Sequence, residues 1–202
     1  MNGNNKEHWE NIYSTKQPNE VSWTQEKPEI SLNFIEQFNL PKSAAIIDVG
    51  GGDGNLVDHL LDLGYENITV LDISENAIKR AKIRLGEKAN KVTWIVSDIT
   101  EFKPKQSYDI WHDRAVFHFL TSKEDISTYV NLVNQYARNI VIGTFSTEGP
   151  LKCSGLKITQ YNKQSMIAVF EETFNNIDTL IKDHTTPFNT TQNFIFCSFS
   201  KK

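Results

Sequence analysis

The sequence has few of the features that build disulfide-linked, metal-stabilised or membrane-spanning proteins. Its 202 residues include only two cysteines, Cys153 and Cys197, with no C-x-x-C pair and no Cys/His cluster. Neither a disulfide framework nor a zinc or other metal site is therefore predicted. No run of 18 apolar residues is present, and the first residues, MNGNNKEHWE, lack a basic segment followed by an apolar one. We expect a cytoplasmic protein with reduced thiols and no membrane contact.

The composition is that of an ordinary globular protein. Hydrophobic residues make up 39% and charged residues 23% of the sequence, with 10 glycines and 6 prolines and no internal repeat. A chain of this length has room for one sizeable core, so we expect a single domain over residues 1–202. The formal net charge of −4 disfavours binding to nucleic acid phosphates.

The pattern of apolar residues indicates alternating strands and helices. From about residue 44, short β-branched runs alternate with amphipathic segments, as in a parallel sheet covered by helices. The predicted strands are 44–49, 67–72, 91–98, 107–113 and 139–145, followed by 176–184 and 193–200. The last two flank a polar stretch and predict an antiparallel hairpin. We therefore expect an α/β fold of three layers with a seven-stranded, mostly parallel sheet.

Helix starts are marked by capping residues. Pro28 suits the first turn of an N-terminal helix that is followed by the sheet. Ser74 is a natural N-cap, and Thr121 with Glu124 fits a capping box. Ser165 is the candidate N-cap of the helix in 163–174. Residues 1–40 are accordingly predicted to form a helical cap or lid.

The stretch IIDVGGGDGNL, residues 46–56, follows the first strand. A glycine loop at the end of such a strand lets a ligand approach the backbone closely. In the dinucleotide fingerprint, Gly50 and Gly52 would be followed by a third glycine at position 55. Asn55 stands there instead, and the third glycine of this loop is Gly54, which does not fit the fingerprint. No Gly-Lys-Ser/Thr sequence follows either, which disfavours nucleoside triphosphates.

Three acids stand at the ends of predicted strands. Asp48 precedes the glycines, where a carboxylate repels a pyrophosphate and accepts hydrogen bonds from an ammonium group, unless it only braces the loop. Asp72 ends the second strand, where a carboxylate can bind ribose hydroxyls. Asp98 ends the third, within reach of an adenine amino group. This set suits a ligand with an amino-acid end, a ribose and an adenine, and no phosphate.

With VLDIS, VSDI and the C-terminal hairpin, this loop resembles the class I S-adenosylmethionine-dependent methyltransferases. The resemblance implies a Rossmann-like fold and a cofactor-binding core over residues 42–200. The N-terminal segment, WHDRAVFHFL and GPLKCSGLKITQY also look like those of small stand-alone bacterial methyltransferases of unassigned substrate. By the same resemblance, S-adenosylmethionine is the expected cofactor.

The resemblance also assigns roles to residues. Asp48 with the backbone of Gly50, Gly52 and Gly54 would hold the methionine part of the cofactor. Asp72 would bind the ribose, Asp98 with Ile99 the adenine, and Ile73 would pack on the adenine ring. Trp9 and Tyr13 are candidates for the lid that covers the cofactor in this family, or else simply pack in the core.

Three residues near the end of the fourth strand are candidates for the acceptor side of the reaction: Asp113, Arg114 and His118. His118 has the pKa range of a general base, but a structural histidine is an equal alternative. Arg114 could pair with Asp113 or bind an anionic substrate group. Methyl transfer from a sulfonium does not always need a base, because the methyl group is already activated.

The sequence leaves the methyl acceptor open. A small molecule is our first expectation, because no nucleic-acid module and no Asn/Asp-Pro-Pro-Tyr/Phe motif is present. A protein side chain is the alternative acceptor. A non-catalytic Rossmann-like module that binds a nucleoside cofactor, or NAD, is a third possibility, although Asn55 argues against NAD. The oligomeric state is not predicted.

Overall fold

The computed structural model describes residues 4–202, and the α/β fold of three layers is confirmed. Helices cover both faces of a central seven-stranded sheet in this part of the chain. The strands of the sheet are β1 (Ala45–Val49), β2 (Asn67–Asp72), β3 (Val92–Val96), β4 (Tyr108–Arg114), β5 (Ala137–Phe145), β8 (Phe174–Thr185) and β9 (Thr191–Lys201); β6 (Lys152–Cys153) and β7 (Leu156–Lys157) form a separate hairpin. The helices are α1 (Asn4–Thr15), α2 (Glu29–Glu36), α3 (Leu56–Asp62), α4 (Glu75–Leu85), α5 (Lys123–Tyr136) and α6 (Lys163–Phe170).

The sheet has the order β3-β2-β1-β4-β5-β9-β8. The first five strands are parallel, and β9 pairs antiparallel with both β5 and β8. Strand order reverses between β1 and β4, which leaves a crevice at their carboxyl ends where ligands bind in such sheets. The antiparallel hairpin predicted from the C-terminal part of the sequence is therefore confirmed. A binding site is expected at the carboxyl ends of β1 and β4.

Central strands are buried on both faces because helices cover both. Every residue of β1 is buried, and successive side chains enter opposite halves of the core. Ile47 packs with Trp111 of β4 and with helices α5 and α6, whereas Ile46 packs with α2 and α3. This double burial explains why the strands read as continuous apolar runs rather than as alternating ones.

The structure corrects some of the predicted helix starts. The Ser74 side chain accepts from the Ala77 N–H, so this N-cap is confirmed. The N-cap of α5 is Ser122, one residue after the predicted Thr121. The N-cap of α6 is Asn162, and Ser165 is its reciprocal partner three residues later. Both errors arise because neighbouring polar residues have similar capping propensities.

The N-terminal segment crosses the carboxyl edge of the sheet before the core begins. Helix α1 is followed by a 3-10 turn at Pro18–Glu20 and by α2, for which Pro28 is the N-cap rather than a residue inside the first turn. No helix in the described residues is long and apolar enough to cross a membrane. The β6–β7 hairpin was not predicted, since two-residue strands leave no periodic signal.

Helix α1 is attached to the core through its polar residues. The Glu10 carboxylate accepts from the backbone N–H of Glu75 at 2.6 Å, from that of Asn76 at 3.2 Å and from the Ser74 hydroxyl at 3.0 Å. Glu10 thus occupies the N-terminus of α4, where free N–H groups and the helix dipole favour a negative charge. Beyond α1, the Lys16 carbonyl accepts from Arg80 at 2.6 Å.

We expect Glu10→Gln to loosen α1 from the core. An amide loses the charge at the helix N-terminus and one acceptor oxygen, which costs about 1 kcal/mol at such positions. Hydrogen exchange of the α1 amides should become faster, with little change in the central strands. Glu7→Gln is the matched control, because Glu7 is exposed on the same helix. Equal exchange in both variants would contradict the role given to Glu10.

Candidate active site

A cavity of about 290 Å³ lies where the strand order reverses. Its walls come from the carboxyl ends of the parallel strands, with Gly50 after β1, Asp72 at the end of β2, Asp98 beyond β3 and Arg114 at the end of β4. Helix α1 and the β6–β7 hairpin supply further walls. We call this space the first cavity. Its volume is close to the lower end of the range for small-molecule sites.

The glycine loop allows a close approach between β1 and the segment after β4. Gly50 has a φ of +66°, and a Cβ there would lie 1.9 Å from Cγ2 of Val116. Gly52 has a φ of +53°, and its Cβ would lie 2.7 Å from the Tyr13 hydroxyl oxygen. The Gly50 N–H donates to the Leu71 carbonyl at 2.7 Å, which ties the loop to β2. Glycine is required at both positions by conformation and by space.

Two carboxylates mark one side of the first cavity. One oxygen of Asp72 accepts from the Ser74 N–H at 2.7 Å. Burial raises the pKa of Asp72 to about 7, and the nearby carboxylates of Asp53 and Asp48 add to the shift. Asp98 accepts from Thr100 through one oxygen, at 2.9 Å from the backbone N–H and 2.8 Å from the hydroxyl. The two acids therefore present acceptors to this part of the cavity.

Aromatic residues line the lid side of the first cavity. The Trp9 ring lies 5.8 Å from Trp23 and 5.2 Å from Phe119, both in edge-to-face geometry. Tyr13 lies 6.4 Å from Trp23. Burial raises the pKa of Tyr13 well above its ordinary value, so the phenol stays protonated. These rings form the aromatic wall of the first cavity.

A second cavity of about 270 Å³ adjoins the first. Tyr13, Trp23, Gly50 and Arg114 line both, so the two spaces meet at these residues. Asp48 lines the second cavity.

The Asp48 carboxylate is fixed by a buried chain of hydrogen bonds. One of its oxygens lies 2.7 Å from Nδ1 of His112, whose Nε2 lies 2.8 Å from the Ser31 hydroxyl. His112 is the residue opposite Asp48 in the β1/β4 pairing. The carboxylate is therefore held in one orientation.

Arg114 lies where the two cavities meet. Its Nη1 donates to the Trp23 carbonyl at 2.9 Å, and its guanidinium carbon lies 5.3 Å from the centre of the Phe194 ring. Burial lowers the pKa of Arg114 to about 10, which keeps the group charged at neutral pH. The next residue, Ala115, has a φ of +69°, a left-handed conformation that costs a residue with a side chain about 1–2 kcal/mol. The turn that carries Arg114 is therefore strained.

Residues 46–138 match the sequence profile of a family described as "Methyltransferase domain". Over 104 residues the chain is 29% identical to malonyl-[acyl-carrier protein] O-methyltransferase 2 of Ilyobacter polytropus, a match that covers 51% of the chain but 40% of that protein. Over 188 residues it is 23% identical to EEF1A lysine methyltransferase 2 of Homo sapiens, covering 87% of the chain and 76% of that protein. The family match over residues 46–138 and the shared fold support a class I, S-adenosylmethionine-dependent methyltransferase domain.

A solved structure with the same fold is that of Burkholderia thailandensis 1,6-didemethyltoxoflavin-N1-methyltransferase, with 1,6-didemethyltoxoflavin and S-adenosylhomocysteine bound. The TM-score is 0.70 at 14% identity, and the match covers 98% of this chain and 84% of that one. The chain spans less than half the length of the malonyl-carrier relative. The relatives named here therefore differ in length and in acceptor, while the methyltransferase domain is common to them.

S-adenosylmethionine is the cofactor of this methyltransferase domain. The first cavity fits such a ligand, because it combines two carboxylates for hydroxyl and amino groups with apolar surface for a purine. The structure brings most of the residues expected to bind the cofactor to its walls: Trp9, Tyr13, Gly50, Asp72, Ile73, Asp98 and Ile99. Asp48 and Gly54 line the second cavity, and Gly52 lies between Tyr13 and Asp72. Their individual roles remain predictions.

Two of the three residues expected on the acceptor side lie behind the cavity wall. Asp113 is fully buried and accepts from the N–H groups of Val116 and Phe117 and from the Tyr129 hydroxyl. It therefore braces the turn after β4, does not pair with Arg114, and its pKa is raised to about 6 by burial.

His118 is also fully buried, and the structure replaces its expected role at the cavity with a structural one. Its Nδ1 accepts from the Phe145 N–H at 3.3 Å. Burial lowers the pKa of His118 to about 3, and the Arg114 charge adds to the shift, so the ring is neutral. A buried ring outside the cavity walls cannot reach a bound acceptor in this conformation, which removes the geometric basis for a general base.

The sequence reasoning did not assign Trp23, His112 and Phe119 to the site, although all three line one of the two cavities. It also missed the anchoring role of Asn55, whose side chain donates to the carbonyls of Gln25 and Glu26. Such contacts join residues far apart in sequence. The one local signal was the density of aromatic residues in the first 25 positions.

The raised pKa of Asp72 predicts a pH-dependent cost in stability. The folded state holds the Asp72 proton up to about pH 7, whereas the unfolded chain releases it near the ordinary pKa of about 4. The contribution of Asp72 to the free energy of unfolding is therefore complete below pH 4 and is lost as the pH rises to 7. Asp72→Asn should therefore stabilise the ligand-free protein more at pH 8 than at pH 5, by about 1–3 kcal/mol in urea titrations.

The control is Asp62→Asn, since the exposed Asp62 pairs with Lys88, which lowers the Asp62 pKa and gives the opposite sign. A stability difference for Asp72→Asn that does not change between pH 5 and pH 8 would contradict the prediction.

Proposed function

We propose that the protein transfers the methyl group of S-adenosylmethionine to a small molecule. The observation that carries the proposal is the enclosure of the first cavity. Trp9 and Trp23 lie over it on the lid side, and the β6–β7 hairpin, through Cys153 and Leu156, lines another side. Because the cofactor would take up most of the first cavity, the acceptor would have only the space left beside it and the adjoining second cavity of about 270 Å³, which suits a compact molecule better than an extended peptide.

The residues around the cavity would act by binding and positioning. Asp72 would accept from the ribose hydroxyls, Asp98 from the adenine amino group, and Ile73 with Ile99 would pack against the adenine ring. The cofactor supplies a methyl group already activated by the sulfonium charge. Holding the acceptor atom in line with that group can provide a large part of the rate enhancement.

The proposed reaction does not require a general base from the residues that line the first cavity. Cys153 lines it, but burial raises the pKa of this thiol to about 12, so it stays protonated. Tyr13 is likewise protonated. The acceptor would therefore react through a lone pair that is already free at neutral pH, and no residue would have to remove a proton from it.

A protein side chain is the second candidate acceptor. The relative that matches 87% of the chain is named as a lysine methyltransferase, which favours this alternative. Radiolabelled S-adenosylmethionine incubated with the purified protein and a cell extract would separate the two. Label in a new small-molecule product, separated by chromatography from unreacted S-adenosylmethionine, supports the proposal, and label only in precipitated protein contradicts it.

The cofactor assignment predicts a loss of affinity in Asp72→Ala. The dissociation constant for S-adenosylhomocysteine, measured by calorimetry, should rise by a factor that corresponds to about 1.5–3 kcal/mol, the range for hydrogen bonds to charged groups. Asp62→Ala, which removes an exposed carboxylate far from the lining residues, should bind like the wild type. Unchanged affinity in a folded Asp72→Ala protein would mean that Asp72 does not bind the ribose.

A thermal-shift panel tests the remaining alternatives. S-adenosylmethionine and S-adenosylhomocysteine should raise the melting temperature, whereas NAD should not. A shift with NAD alone would favour a binding module of another class. We also keep a cytoplasmic location as part of the proposal, supported by two cysteines that are both free in the structure.

A further inference from the structure

Several buried side-chain nitrogens near the acceptor side have no hydrogen-bond partner among residues 4–202. They include Nε and Nη2 of Arg114, which lines both cavities, and Nε2 of His118, which lies behind the cavity wall. Buried polar groups without a partner are rare, because each one loses its hydration without gaining a hydrogen bond in return. The unpaired nitrogens of Arg114, a residue that lines both cavities, point to a ligand that supplies their acceptor.

All three of these atoms are hydrogen-bond donors. The guanidinium of Arg114 carries hydrogens on every nitrogen. The Nδ1 atom of His118 accepts from the Phe145 N–H, so the hydrogen of the neutral ring is on Nε2. What this region lacks is an acceptor, and a negatively charged one would form the strongest hydrogen bonds.

No protein carboxylate meets this need. Asp48 is the acid whose charge acts on Arg114, but one of its oxygens is bound to His112 at 2.7 Å. No ion pair within 4.0 Å joins Arg114 to any acid of the described chain. The Trp23 carbonyl engages only Nη1. The positive charge of Arg114 is therefore left without a direct partner beside both cavities.

The charges around the first cavity are divided between its two sides. The acids Asp72 and Asp98 stand at the ends of β2 and β3, where the ribose and adenine are expected. The cations Arg114 and Lys157 stand at the end of β4 and on the β6–β7 hairpin. A ligand next to the cofactor would therefore meet positive charge at the β4 side of the cavity.

We propose that the methyl acceptor is a small organic acid whose carboxylate binds the guanidinium of Arg114. Its apolar or aromatic body would lie against Trp9, Trp23 and Phe119, which line the same cavity. Since Nε and Nη2 are covered in the ligand-free chain, the guanidinium turns to present them when the acid enters. This inference rests on the proposed function, because it specifies the acceptor of that reaction.

The strained turn at Ala115 fits a functional constraint on this arginine. The Ala115 N–H donates to the Gly143 carbonyl at 2.8 Å, and Asp113 holds the following amides, so the left-handed conformation is fixed from both sides. On the far side, the Phe194 ring lies against the guanidinium. These contacts keep Arg114 at the junction of the cavities, so that only its guanidinium has to turn when the acid binds.

The cofactor also carries a carboxylate, so the experiment must distinguish binding of Arg114 to the carboxylate of the cofactor from binding to the carboxylate of the acceptor. S-adenosylhomocysteine contains this group, whereas 5′-methylthioadenosine lacks the amino-acid end. Calorimetry with both ligands on wild type, Arg114→Gln and Arg114→Lys reports whether Arg114 binds the cofactor. Titration of the S-adenosylhomocysteine-saturated proteins with 3-phenylpropionate and with its amide reports whether Arg114 binds a second carboxylate.

We expect the acid to bind saturated wild type at least tenfold more tightly than the amide. Arg114→Gln should abolish this preference, Arg114→Lys should retain part of it, and both should bind S-adenosylhomocysteine within about twofold of wild type. That unchanged affinity also verifies that the variants fold. Arg138→Gln is the matched control, because Arg138 is 74% exposed, and it should keep the full preference.

Two results would overturn the inference while leaving the proposed function intact. One is equal binding of acid and amide by saturated wild type. The other is a tenfold loss of S-adenosylhomocysteine affinity in Arg114→Gln with unchanged 5′-methylthioadenosine binding, which would assign Arg114 to the cofactor. If wild type binds neither nucleoside, the proposed function fails and this inference fails with it.

Discussion

The close contact between Gly50 and Val116 is the constraint on which the site depends. Strands β1 and β4 are neighbours in the sheet, so the loops that follow them leave the same edge side by side. A Cβ at position 50 would lie 1.9 Å from the Val116 side chain, and only glycine permits this approach. The contact fixes the glycine loop against the turn that carries Arg114. Both cavities are bounded by this pair of loops.

The predicted lid is attached by polar contacts in addition to the packing of its aromatic residues. Glu10 binds the N-terminus of α4, the Lys16 carbonyl accepts from Arg80, and the Trp23 carbonyl accepts from Arg114. Polar contacts of this kind exchange with water at small net cost, whereas a buried apolar seam does not. The polar contacts thus tie the predicted lid to the core at the start of α4 and at Arg114.

The site contains groups that lower the stability of the ligand-free protein. Asp72 is a buried carboxyl group with its pKa raised to about 7, Ala115 has a left-handed backbone, and Arg114 keeps two buried donors without partners. Each is unfavourable in isolation, and each lies at or beside the first cavity. Such a concentration is expected where binding energy from a ligand offsets the cost of pre-arranged groups.

The sequence by itself determined the positions of the strands along the chain, the approximate places of the helices and the three acids at strand ends. These features are local, because apolar periodicity and capping residues act over a few positions. The errors at Thr121 and Ser165 were shifts within one capping segment. The resemblance to class I methyltransferases then assigned the cofactor before any contact was known.

Only the tertiary structure decided which polar groups reach the cavities. The bond between Arg114 and the Trp23 carbonyl joins residues 91 positions apart, and the Asp48–His112 pair spans 64 positions. His118 and Arg114 look equally available in the sequence, yet His118 is buried behind the wall while Arg114 lines both cavities. The strained turn at Ala115 lies between Arg114 and His118 in the chain. No local sequence pattern predicts the direction in which such a turn points its side chains.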